Sequence, residues 1–129
     1  MNKIIVEVSF GELLDKISIL EIKKEKIKDH VKLEFINNEH KILKSQLDQN
    51  IKVNEKLKKL FEALKEINHK LWIIEDEKRF CEKEKNFGET FIKLSRDVHF
   101  LNDDRAKMKL EINDLTGSKI KEIKEYTKY

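Results

Sequence analysis

The feature that most constrains this chain is a pair of long ladders whose members recur at alternating intervals of four and three residues. The first ladder is Val53, Leu57, Leu60, Leu64, Ile67, Leu71, Ile74, Lys78 and Cys81. The second is Phe87, Phe91, Leu94, Val98, Leu101, Arg105, Met108, Ile112 and Leu115. A sustained period of about 3.5 residues places each set on one stripe of a helix, and two such stripes pair along a left-handed seam. The break at Asn86–Gly88 is so short that the two helices must run antiparallel. The pattern therefore predicts a coiled-coil-like hairpin with helices over 53–85 and 88–116, each roughly 45 Å long at about 1.5 Å per residue. A turn centred on Asn86 sets Ile74 against Val98, Lys78 against Leu94 and Ile67 against Arg105. Gly117, just past the last ladder residue, is a natural helix stop.

Two shorter helices precede the hairpin. Ser9 with Glu12 three residues on reads as a capping box, in which the serine oxygen accepts from the Glu12 amide and the glutamate reaches back. A helix over 10–28 follows, with Phe10, Leu13, Ile17, Leu20, Lys24 and Ile27 in its ladder. After an interruption at Asp29–His30, a helix over 31–48 carries Leu33, Ile36, His40, Leu43 and Leu47, and ends at a polar break over 49–52. Residues 3–8 alternate with period two and read as an extended segment that needs a partner. Residues 118–129 form a polar tail. The expected fold is all-α, a single helical-bundle domain over 1–129 in which the two N-terminal helices cover the hairpin. Trp72, Ile73, Phe80, Ile92, Phe100 and Leu110 leave the hairpin away from its seam and also need cover. They exceed what two short helices readily hide, so a homodimer is expected.

Composition supports the helical reading, because the chain has no proline and only three glycines, the residues that interrupt helices. The net charge of +3 comes from interleaved signs, without the one-sided basic surface of a nucleic-acid binder. No apolar run approaches the ~20 residues that would span a bilayer. The single cysteine, Cys81, suits a reducing compartment, so a cytoplasmic location is expected, without membrane insertion.

Arginine is the most informative polar residue. Arg79, Arg96 and Arg105 are the only arginines among 28 cationic side chains, so lysine supplies routine charge and arginine marks a need for its planar fork. In the hairpin register Arg105 lies inside the seam with Asn68 as its nearest polar partner, and Lys78 is a second buried polar residue. Arg96 points the other way. Its neighbours on that side are His99 and Asp103, with Trp72, Asp76 and Arg79 at a similar level of the preceding helix. A covering first helix adds Glu12, Asp15, Lys16 or Glu21. These groups make a candidate cleft for an anionic metabolite, with an aromatic wall and two forked cations. The competing reading is a closed structural network in which the carboxylates neutralise both arginines. His30, His40, His69, His99 and Cys81 show no zinc-ligand spacing. The pairs Glu12/Asp15 and Glu111/Asp114 arise too easily in a chain with 25 acidic residues to imply a metal. No nucleophile–base arrangement or phosphate loop is present, and no cofactor is expected.

The chain resembles an uncharacterised family of small bacterial and phage-borne helical proteins, sometimes encoded near glycosyltransferases. The likeness lies in Ser9-Phe10-Gly11-Glu12-Leu13, Asp15-Lys16-Ile17, Ile19-Leu20-Glu21-Ile22-Lys23, Asn68, Leu71-Trp72, Glu75-Asp76, Arg79 and Glu82. It continues through Phe91-Ile92, Arg96, Val98, Asn102-Asp103, Arg105-Ala106, Lys109, Ile112-Asn113, Gly117-Ser118, Tyr126 and Tyr129. His99 stands where the resemblance leads one to expect tyrosine, and Ser95 where it leads one to expect alanine. The resemblance implies no activity, but it draws attention to polar positions rather than to the apolar ladders. Two functions follow as expectations: a non-enzymatic, dimeric interaction module with a possible protein partner, and a binding protein or small all-α enzyme for an anionic metabolite such as a nucleotide, sugar nucleotide or phosphorylated sugar.

Overall fold

In a computed structural model, which describes residues 2–129, the chain is all-helical, with no strand among those residues. Four helices follow in order: α1 (Phe10–Lys26), α2 (His30–Asn50), α3 (Glu55–Lys83) and α4 (Glu89–Thr116). Their starts are set by side chains that bond the free amides of each first turn. Ser9 Oγ accepts from the Glu12 amide at 3.0 Å, Asp29 Oδ2 from Lys32 at 2.9 Å, and Asn54 Oδ1 from Leu57 at 2.9 Å. These caps explain the differences from the expected bounds: Asp29 starts α2 one residue early, Asn54 starts α3 two residues late, and α2 runs on through Asn50. Gly117 closes α4 in the left-handed conformation, at φ 69°, and the Ser118 amide bonds back to the Asn113 carbonyl at 2.9 Å.

α3 and α4 pack on each other along their ladders, and α1 packs on both and on α2. α1 is thus sandwiched, and it presents two different faces. Leu13, Ile17 and Leu20 lie on one, along with Lys24, whose ammonium meets His40 Nδ1 of α2 at 3.0 Å. Gly11, Asp15, Ser18 and Ile22, themselves spaced four, three and four, lie on the other, against the hairpin; all four are buried. The main core joins Leu13, Leu14 and Ile17 to Leu47, Leu57, Leu64 and Ile112. It sits at the open end of the hairpin, away from the turn.

The half of the hairpin near the turn has a smaller core of Ile74, Cys81 and Leu94, edged by Phe91, Val98 and Leu101. α1 does not extend over this half. Ile73, Phe80, Ile92 and Phe100 remain exposed there, as do Val31, Phe35 and Ile42 along α2. The alternating segment 3–8 forms no strand pairing among the described residues, and Ile4, Ile5, Val6 and Val8 are exposed. None of the described helices is long and apolar enough to cross a membrane.

Candidate functional site

Polar residues converge where α1 crosses the hairpin. Asp15, only 1% exposed, is the hub. Arg105 grips it with both arms of its fork, Nε to Oδ1 at 2.9 Å and Nη2 to Oδ2 at 2.5 Å. Asn68 Nδ2 donates to the same Oδ1 at 2.9 Å and to Ser18 Oγ at 2.8 Å, and the Ser18 hydroxyl donates to the Asp15 carbonyl. One turn along α4, the Lys109 ammonium bonds Glu12 and Glu122 at 2.7 Å each and lies 4.0 Å from Asp15.

The start of α1 is fixed to the end of α4 by the same knot. Asn113 Oδ1 accepts from the Gly11 amide at 2.7 Å, and Ser118 Oγ from the Phe10 amide at 3.1 Å. A Cβ on Gly11 would stand 2.5 Å from the Lys109 carbonyl and 2.9 Å from Asn113 Oδ1, so only glycine lets the two helices approach this closely.

The electrostatics follow the geometry. Burial pushes the Asp15 carboxyl up, but the hydrogen bonds from Arg105 and Asn68, with the charges of Arg105 and Lys109, hold it below the ordinary carboxylate range. The Asp15 hydrogen bond raises Arg105 further. Burial pulls Lys109 down, yet Glu12 and Glu122 more than offset this and raise it. Its ammonium in turn lowers Glu122. No buried side-chain nitrogen or oxygen among the described residues lacks a hydrogen-bond partner. The knot is a hydrogen-bonded network in which every buried polar side-chain atom has a partner, and it ties the start of α1 to the end of α4.

Several expected placements are corrected by this arrangement. Arg105 does not pair with Asn68 inside the seam; both bind Asp15, which reaches them from α1. Glu12 does not turn back to its own helix start, because its carboxylate is held by Lys109. Lys78 is only half-buried, and its ammonium lies 5.7 Å from the centre of the Phe91 ring.

The expected cleft is not assembled around α1 either. Trp72 is half-buried on α3, and Asp76 and Arg79 are exposed. Lys16 points outward and is exposed, while Glu12 is committed to the knot. Arg96 lies over the Phe100 ring at 5.9 Å, and His99 packs against Phe100 and Tyr129. Asp103 accepts from the Tyr129 hydroxyl. Among the described residues neither Arg79 nor Arg96 forms an ion pair, so carboxylates do not neutralise them. Three or more His, Cys, Asp or Glu side chains placed to share a metal ion are absent from the described residues.

Lys109, Asn113 and Glu122 are members of the knot that motif reasoning did not single out as a site. A signal existed in the 11–15–18–22 spacing of α1, which repeats like an apolar ladder but is written in the small and polar Gly11, Asp15 and Ser18 before it reaches Ile22. No curated protein and no solved structure matches the chain significantly. A family model spans residues 4–129, and by that match the chain belongs to a family of unknown function, DUF6165.

Proposed function

We propose that this chain is a non-enzymatic helical interaction module that self-associates as a dimer through the turn-proximal half of its hairpin. The observation that carries the reading is the exposure of large apolar side chains on that half: Ile73 at 40%, Phe80 at 61%, Ile92 at 55% and Phe100 at 39%. Ile73, Ile74, Phe100 and Leu101 line a groove of about 380 Å³ between α3 and α4. Two helices alone leave such a groove open, whereas two hairpins related by a two-fold axis fill it with a four-helix arrangement. The polar knot supports a non-catalytic role, because Arg105 is held by Asp15 and Lys109 by Glu12. A cytoplasmic setting accords with the single, buried thiol of Cys81.

Light scattering at micromolar concentration tests the proposal. The expected mass is twice that of the 15.5 kDa chain, and Ile73→Lys with Phe100→Lys should halve it without loss of helical circular dichroism. A monomeric mass for the unchanged chain overturns it. A second reading, recognition of an anionic partner on the same face, is favoured by the unpaired guanidiniums of Arg79 and Arg96. It requires Arg96→Lys, which keeps the charge and loses the fork, to weaken that recognition.

A further inference from the structure

A cavity of about 280 Å³ lies between α4 and the non-helical C-terminal segment, and it shares no lining residue with the dimer groove. Lys107, Lys109 and Lys124 supply its cations, against two carboxylates, Asp103 and Glu122. Ala106, Leu110 and Tyr126 supply an apolar and aromatic wall. The two ends of the Lys109 interaction are unequal. The lysine is buried on a helix and anchored by Glu12, whereas Glu122 is 44% exposed and belongs to a segment without secondary structure. The Glu122 carboxylate also sits 3.5 Å from Lys124, so it occupies the point where two of the cations converge. A carboxylate at such a point is an internal substitute for an external anion. With Glu122 turned outward, the Lys109 and Lys124 ammonium groups lose the carboxylate they share, Lys107 adds a cation to the lining, and Asp103 remains as the other lining carboxylate.

We propose that this cavity binds a small phosphate monoester, whose phosphate displaces Glu122 from Lys109 and Lys124 and whose organic part lies against Leu110 and Tyr126. The phosphate bears up to two negative charges and several acceptor oxygens, which suits the two convergent ammonium groups of Lys109 and Lys124 better than one carboxylate does. The volume lies just below the usual range of about 300–1,000 Å³ for ligand pockets, which limits the ligand to a small one. The inference is independent of the dimer, because it uses none of the turn-proximal residues.

Titration of the full chain with phenyl phosphate at constant ionic strength, followed by amide chemical shifts, tests it. The shifts should centre on Ala106, Leu110 and Tyr126. Glu122→Gln removes the competing charge and should tighten binding roughly two- to fivefold, the range for loss of a half-exposed charge pair. Lys107→Met with Lys124→Met, both outside the core, should weaken binding by about tenfold or more. Absence of binding by both the unchanged chain and Glu122→Gln would overturn the proposal. Equal affinity in Glu122→Gln, or unchanged affinity in the double lysine variant, would overturn it as well.

Discussion

Replacing Asp15 by asparagine keeps the shape of the hub and removes its charge. One of the two oxygens that receive Arg105 becomes an NH₂ group, so donor faces donor, and the guanidinium loses its counter-ion. The loss can be apportioned from the contacts. Asn68 keeps Ser18 Oγ, and Lys109 keeps Glu12 and Glu122, so most of the cost falls on Arg105. Breaking a buried ion pair from one side costs about 3–5 kcal/mol. The Arg105 side chain is 30% exposed and recovers some hydration, which places the expected cost near the lower end, about 3 kcal/mol. At roughly 3 °C per kcal/mol for a chain of this size, the melting temperature at neutral pH should fall by about 10 °C. The pH dependence carries the same signature. The folded-state pKa of Asp15 is depressed, so its contribution is fully present above the ordinary carboxylate range and is lost as pH falls through the folded value. The difference between the thermal melts of the two proteins should therefore narrow as pH is lowered from neutral through the carboxylate range, and close only below the folded-state value of Asp15. Asp15→Leu combined with Arg105→Met should recover stability relative to Asp15→Leu alone. A neutral-pH difference under about 2 °C, or strict additivity in the double variant, would refute the claim that the pair is coupled.

Gly11→Ala sets two effects against each other: alanine favours helix by up to about 1 kcal/mol, but a Cβ at 2.5 Å from the Lys109 carbonyl forces the helices apart at about 1–3 kcal/mol and strains the Gly11–Asn113 bond. Net destabilisation is expected in chemical denaturation. Gly88→Ala meets only one ordinary contact, at 3.4 Å, and should cost less. Leu64→Ala, at a fully buried core position, should lower unfolding free energy by about 2–5 kcal/mol in the same assay.

The hairpin was legible because its information is periodic and local: each ladder residue in α3 and α4 says where its neighbours four and three positions away must point. The helix start at Ser9 carries its own capping chemistry, whereas the cap at Asn54 was hidden behind Val53, which fits the apolar ladder but lies outside the helix. The knot was legible only in part. Arg105 and Asn68 stood out as polar intrusions, but their shared partner, Asp15, lies far away in sequence on a helix whose apolar ladder drew attention to the opposite face. Periodicity of apolar residues cannot report a face built from Gly11, Asp15 and Ser18, because the force that orders it is ion pairing and close backbone approach rather than burial of hydrocarbon. The position of α1 along the hairpin was hidden for the same reason. Placed nearer the turn, it would have brought Glu12 and Lys16 towards Arg79 and Arg96; Asp15 and Gly11 hold it at the open end instead.

The bonds from the Phe10 and Gly11 amides to Ser118 and Asn113 span 108 and 102 residues. A ribosome releases α1 long before it has made the side chains that cap it. The α1–α2 pair and the α3–α4 hairpin each unite neighbouring stretches of chain and can form as they emerge, but the first amides of α1 stay bonded to water until synthesis has passed Ser118. Closure of the bundle is therefore a late event in the life of the nascent chain. A protein cut short before Asn113 would retain helices yet lack the clasp that joins its beginning to its end.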